Sequence, residues 1–185
     1  MANNNKDATK VVTGKVRLSY VHVFQPTSVG DDGNEKYSVS IIIPKSDKEL
    51  IRKINAAIEA AVEAGKNSKF GGKVPANLKK PLRDGDTDRE DDEAYQNAYF
   101  INATSSIKPE VVDTNLNPIL NTEEVYSGCY GRVSINFYAF NTNGNKGIAA
   151  GLNNIQKLED GEFLGGRTSP ESDFGDGFVD EEDDF

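Results

Sequence analysis

Lysines and arginines alternate with aromatic rings along the stretches of this chain that read as strands. Lys15 and Arg17 fall on one face of the first, Arg132, Tyr138 and Phe140 on one face of a later one, and Tyr95, Tyr99 and Phe100 lie between. Rings stack on unpaired bases for about 1–3 kcal/mol each, and cations track a phosphate backbone, so this mixture is the chemistry of holding a single-stranded nucleic acid. The small polar residues Ser134 and Asn136 leave room for bases between those groups. The loop bases Lys69, Lys73, Lys79, Lys80 and Arg83 form a second candidate, because a basic excursion can close over a strand lying on a sheet. Against this stands the ordinary use of rings as core filling and of lysines as solvated surface. Tyr20, Phe24 and Phe137 fall on the apolar faces of their strands and are assigned to the core.

Catalytic chemistry finds little support. Asp84, Asp86 and Asp88 occupy alternate positions as in a calcium loop, but Arg89 stands where that loop needs Gly and Tyr95 where it needs the bidentate Glu. The carboxylates of 84–93 still define the main alternative, a metal-dependent nucleic-acid enzyme. His22, the one histidine, sits in a strand pattern, and Cys129, the one cysteine, has no evident base to form a thiolate. Gly144-Asn145-Lys146-Gly147 lacks the full spacing of a phosphate-binding loop. The reading is therefore of a protein that is not an enzyme and needs neither cofactor nor metal.

Evenly spread, the net charge of -9 over 185 residues would argue against a nucleic-acid partner. Its distribution reverses that inference. Eight of the 30 acids and none of the 21 bases follow Pro170, which leaves 22 acids against 21 bases before it. Setting aside 84–93 as well and stopping at Leu158, 19 bases face 12 acids. The body is therefore nearly neutral, its remainder a candidate basic footprint on one surface, and the tail owns the acidity. One cysteine excludes an internal disulfide framework, and no apolar run suits a membrane span or a signal peptide. A soluble intracellular protein with no membrane association is the expectation.

The elements that must position the rings follow from periodicity. Val11 to Phe24 reads as one long strand with Val12, Val16, Leu18, Tyr20, His22 and Phe24 on one face. A loop over Gln25 to Glu35 leads to a second strand, Lys36 to Pro44. Ser46 and Glu49 have the spacing of a capping box, and Leu50, Ile51, Ile54, Ala57, Ile58, Ala61 and Val62 form a helical stripe to about Ala64, with Gly65 as its stop. Lys66 to Glu93 is an irregular excursion, Tyr95 to Ala103 a strand, and Val111-Val112 and Ile119-Leu120 short strands. Tyr130 to Asn141 alternates cleanly with Val133, Ile135, Phe137 and Ala139 on one face, and Asn143-Gly144 turns it into a partner strand, Lys146 to Lys157. The fold class is mainly β with one inserted long helix: an OB-fold-like antiparallel barrel of five to six strands.

After this body, residues 1–167, comes a segment over 168–185 with too little apolar content to fold alone. Phe174, Phe178 and Phe185 punctuate its carboxylates, and rings spaced among acids imitate the bases and phosphates of a single strand. Phe178, Asp180, Glu181, Glu182, Asp183, Asp184 and the terminal Phe185 are accordingly candidates for an autoinhibitory and partner-binding element. A DNA-mimicking interaction protein without DNA affinity of its own is a further alternative.

Five ordered blocks carry a resemblance. Val16 to Tyr20, Tyr37 to Pro44, Leu82 to Asp86, Tyr126 to Val133 and Gly151 to Lys157 resemble a family of tailed-bacteriophage single-stranded DNA-binding proteins, over nearly the whole chain. The resemblance implies an OB-fold that coats single-stranded DNA, without regard to sequence, during phage replication and recombination in the cytoplasm of the infected bacterial host. It also implies an acidic tail that competes with DNA and recruits DNA polymerase or other replication proteins, and it is compatible with a homodimer.

Overall fold

The computed structural model describes residues 8–28, 33–164, 174, 175 and 177. Its eight strands are β1 (Lys10–Val12), β2 (Val16–Ser28), β3 (Glu35–Pro44), β4 (Arg83–Asp84), β5 (Ala98–Ser105), β6 (Glu110–Val112), β7 (Tyr130–Thr142) and β8 (Asn145–Glu159). The helices are α1 (Lys48–Gly65) and the single turn α2 (Gly85–Asp88). No helix among the described residues is long and apolar enough to cross a membrane.

Five strands close a ring in the order β2-β3-β5-β8-β7, because β7 pairs with β8 on one side and with β2 through Val16↔Gly131 and Arg17↔Tyr130 on the other. That is the OB-fold barrel. One contact in the ring departs from the antiparallel expectation: β5 and β8 run parallel at Ala103↔Ala150 and Thr104↔Gly151. The connection from 106 to 129 crosses the barrel and enters β7 beside β2, so the hairpin partner β8 reaches β5 in the same direction. The β7–β8 turn has Asn143 and Gly144 both at positive φ, 52° and 89°, which matches the twist of the flanking strands.

The barrel interior holds Val16, Leu18, Ile41, Ile43, Ile101, Val133, Ile135 and Phe137, all buried as their alternation requires. Helix α1 lies mainly on β7 and buries the stripe from Leu50 to Val62, with Ile51 only half covered. Two local expectations are corrected. The helix is capped by Asp47, whose carboxylate accepts from the Leu50 amide, rather than by Ser46, because Asp47 directly precedes the first helical residue. Gly65 is the last helical residue, and it is glycine because a Cβ there would collide with Ala139 on β7.

The first strand pattern is broken in two. Thr13 to Lys15 interrupts it, and Val12 is exposed whereas Val11 is buried, because β1 and β2 both pair with β7 but in registers one residue apart, Val12↔Ser134 against Val16↔Gly131, which reverses the alternation. Ile119-Leu120 forms no strand; an isolated bridge joins Val112 to Pro118. After β8 the chain doubles back along residues 160–164, held by Leu164 N to Ser127 O (2.8 Å) and by a pair of hydrogen bonds between Tyr126 and Gly161. Gly128 (φ 118°) lies directly under the Glu162 carbonyl. A Gly128→Ala variant forces both a strained backbone and a clash, and is expected to lose about 2 kcal/mol, or roughly 4–8 °C in melting temperature measured by circular dichroism. The boundary at 167 and the tail residues Phe178, Asp180, Glu181, Glu182, Asp183, Asp184 and Phe185 lie outside the described residues.

Candidate nucleic-acid interface

Cα partners across the sheet place Arg17, Ile42, Phe100 and Arg83 in one row on the outside of the barrel, and Ser19, Ser40 and Asn102 in the next. The segment 85–97 folds back over the first row. Its residue Tyr95 joins Ile42, Ala98 and Phe100 in a small second core outside the barrel, against which Leu164 also packs. Tyr95 and Phe100 meet edge to face at 5.1 Å, and the Tyr95 hydroxyl donates to Ser40 Oγ at 2.8 Å. Both rings are 0% exposed, so neither has a face to offer a base, and their expected stacking role is withdrawn. The sequence pattern placed Tyr95 at the head of a strand; it sits instead in a 3-10 turn (Glu93–Tyr95) ahead of β5.

Tyr20 is corrected in the opposite sense, from core to surface. Between Ser19↔Ser40 and His22↔Ser38, two residues of β2 oppose one of β3, so the alternation slips by one position and Val21 and Val23 take up the inward places. Tyr20 adopts φ 46° and is 49% exposed. Arg89, hidden within the acidic block of the sequence, lies between the Tyr20 ring and the buried pair, its Cζ 5.2 Å from the Tyr20 centroid and 5.4 Å from those of Tyr95 and Phe100. His22 is half-buried beside this bulge and Phe24 half-buried against the main core.

At the Pro44 end of the same face, Lys15 and Arg17 lie over the Tyr130 ring at 5.1 and 5.5 Å. Together with Ile42, Pro44, Lys45 and Ala98 they line a cavity of about 500 Å³ with an apolar floor and a cationic rim. Lys15 pairs with Glu159, and Arg17 donates to the Gly128 and Glu162 carbonyls at 3.2 and 2.8 Å. Lys45 reaches round to Tyr99, 5.1 Å from its ring, where Lys48, Arg52 and Asn55 of α1 continue the basic surface. Tyr99 is half-buried. Tyr130, Lys45, Lys48 and Arg52 were absent from the sequence-based set. Lys45 and Lys48 flank the helix cap just after Pro44, and their position at a strand end was the available signal.

Lys45 also resolves the acidic block. Its ammonium bonds Asp84 at 2.8 Å and Asp86 at 2.7 Å, the place a divalent cation would take in the metal reading, while Arg83 pairs with Asp88 at 3.0 Å. Among the described residues no group of three His, Cys, Asp or Glu is placed to hold a metal. Hydrogen bonds from Lys45 hold both carboxyls below their ordinary value of 3.8, and the same bonds raise the Lys45 pKa. Lowered carboxyl values mean that this anchor of segment 85–97 is intact above pH 3.8 and is lost on acidification through the lowered values. Hydrogen exchange in 85–97, corrected for intrinsic rates, is therefore expected to accelerate below that pH, and Lys45→Met is expected to produce the same acceleration at pH 7. Cys129 is buried, and burial pushes its thiol up, away from reactivity.

The remaining sequence-predicted groups form a separate patch. Tyr138 stands 45% exposed over Gly151, about 25 Å along β7 from Tyr130. Phe140 lies over Gly147 beside Lys79, whose backbone is bridged to Gly147. Lys69 is tied to β7 by its carbonyl, which accepts from Asn141 Nδ2 at 3.1 Å. Lys73 is exposed, and Lys80 faces Glu59 at 3.5 Å. Arg132 donates to the Thr13 carbonyl at 2.9 Å between the two patches. The sequence-predicted residues Lys15, Arg17, Arg132 and Tyr138 are thus spread along the barrel rather than gathered in one patch, because strand parity puts residues on one side of a barrel without putting them near one another.

An OB barrel whose outer β2–β3–β5 face combines cations, rings and small polar residues defines the class of oligonucleotide-binding domains. A family model described as "Enterobacter phage Enc34, ssDNA-binding protein" matches residues 9–185. The chain is 32% identical over 183 residues to "Putative protein p50" of Acyrthosiphon pisum secondary endosymbiont phage 1, covering 95% of this chain and 98% of that one. The chain belongs to the Enc34 phage single-stranded DNA-binding protein family. The solved single-stranded DNA-binding protein of bacteriophage Enc34 in complex with single-stranded DNA superposes with a TM-score of 0.74 at 29% identity, over 85% of this chain and 90% of that one. The single-stranded DNA-binding protein gp2.5 of bacteriophage T7, at 16% identity and a TM-score of 0.60 over 93% and 96% of the two chains, shares the fold.

Proposed function

We propose that this protein binds single-stranded DNA without regard to sequence and coats it during phage DNA replication and recombination, in the cytoplasm of the infected bacterial host. The observation that carries this reading is the outer face around β2, β3 and β5, where Lys15 and Arg17 lie 5.1 and 5.5 Å from the Tyr130 centroid and Arg89 5.2 Å from that of Tyr20, on a barrel of this family. Rings receive bases of any identity and cations receive phosphates, so neither cofactor nor chemical step is required. The Tyr138–Lys79 patch extends the path for a longer strand. The body over residues 1–167 carries this binding, and the acidic segment 168–185 competes with DNA for the cationic face and, when displaced, presents Phe178, Asp180 to Asp184 and Phe185 to DNA polymerase or another replication protein.

Anisotropy titrations with labelled dT, dA and dC oligomers of equal length test the reading. Affinities within about tenfold of one another support a stacking mechanism, which is sequence-tolerant. Tight binding of a single defined sequence, or magnesium-dependent degradation of the oligomers, would refute it.

A further inference from the structure

Strand parity with Val16 and Leu18 would aim Tyr20 into the barrel, and the bulge together with φ 46° aims it out. An aromatic residue in left-handed backbone is strained, whereas Asn or Gly adopts that conformation readily. A half-exposed ring on strained backbone contributes little to packing. It is nonetheless held in place: Arg89 lies against it and donates to its hydroxyl at 3.5 Å, and Arg89 is itself wedged against Tyr95 and Phe100. A ring fixed before binding loses little freedom when a ligand stacks on it. Its neighbours Ser19 and Ser40 are buried, Ser40 accepting from the Tyr95 hydroxyl, and Ser38 is half-buried.

We propose that Tyr20, braced by Arg89, is a base-stacking platform on the β2–β3–β5 face, receiving one nucleobase of the single strand on the open side of its ring. This rests on the reading of the protein as a single-stranded DNA binder. The strain is then retained because the bulge sets the ring where a base lies, not because it stabilises the fold.

The chain contains no Trp, so Tyr20→Trp introduces a single fluorescent reporter at the site. Its emission should be quenched on saturation with oligo-dT. Tyr20→Phe should bind within about twofold of wild type, and Tyr20→Asn about tenfold more weakly with the salt slope unchanged, because a stacked base and not a phosphate contact is lost. Tyr20→Asn should melt no lower than wild type, since it relieves the backbone. Full affinity in Tyr20→Asn, unchanged Trp emission at saturation, or affinity and melting temperature falling together would overturn the platform. Wild-type protein that fails to bind oligo-dT, with or without the residues after Pro170, would instead overturn the underlying DNA-binding reading.

Discussion

Replacing Lys15 and Arg17 together by Gln should weaken binding to oligo-dT about 25-fold at 0.1 M salt and hardly at all near 1 M. Each phosphate contact to a single strand releases about 0.7 of a counterion, so at 0.1 M each is worth roughly a factor of five, and two contacts multiply. The slope of log affinity against log salt should fall by about 1.4 for the same reason. Both cations lie over the exposed side of Tyr130, at 5.1 and 5.5 Å, where a backbone passing the ring would meet them. Gln places its Nε2 where Arg17 Nε lies and keeps a donor for the Gly128 carbonyl, and the Leu164–Ser127 and Tyr126–Gly161 hydrogen bonds should hold the 160–164 segment without the Arg17 bond to Glu162. An unchanged slope would remove this end of the face from the interface.

Ending the chain at Pro170 should tighten binding to oligo-dT on the order of tenfold at low salt, with the gain shrinking as salt rises. The truncation removes eight acids and no base. Leu164, which packs on Ile42, Tyr95, Ala98 and Phe100, lies beside the cationic cavity. Seven residues further on, at Glu171, the acids begin, within a reach of at most about 25 Å. A tethered segment held that close acts at an effective concentration near the millimolar range, enough for a weak electrostatic competitor to lower the apparent affinity of the face. Equal affinities for the full-length and truncated chains would contradict the competition. The comparison is read most cleanly with fluorescence anisotropy on one labelled oligomer at several salt concentrations.

Most of the barrel was legible because its strands alternate strictly where both faces have a job. Val133, Ile135 and Phe137 point inward as their spacing says, and Leu50 to Val62 bury the stripe that a period of 3.6 marks out. What failed was whatever depended on a break in period or on a distant segment. The bulge after Ser19 reverses parity without a glycine to announce it, so Tyr20 moved from core to surface. Tyr95 and Phe100 look like outward rings until segment 85–97 is folded over them, an event fixed by Lys45 holding Asp84 and Asp86 from another strand's end. Arg89 was concealed by its acidic neighbours, and only the fold shows it wedged among three rings. Charge distribution along the chain, by contrast, needed no fold: the separation of a nearly neutral body with basic stretches from an acidic end follows from counting residues.

The most direct test of the central claim is a pair of titrations of the full-length protein, one with labelled oligo-dT and one with a duplex of the same length, across a series of salt concentrations. Stacking needs unpaired bases, and both strands of a duplex hide theirs, so the account predicts clear preference for the single strand that persists at every salt concentration where binding is measurable, with log affinity falling linearly in log salt. Equal affinity for the two, or binding to neither even after truncation at Pro170, would contradict it.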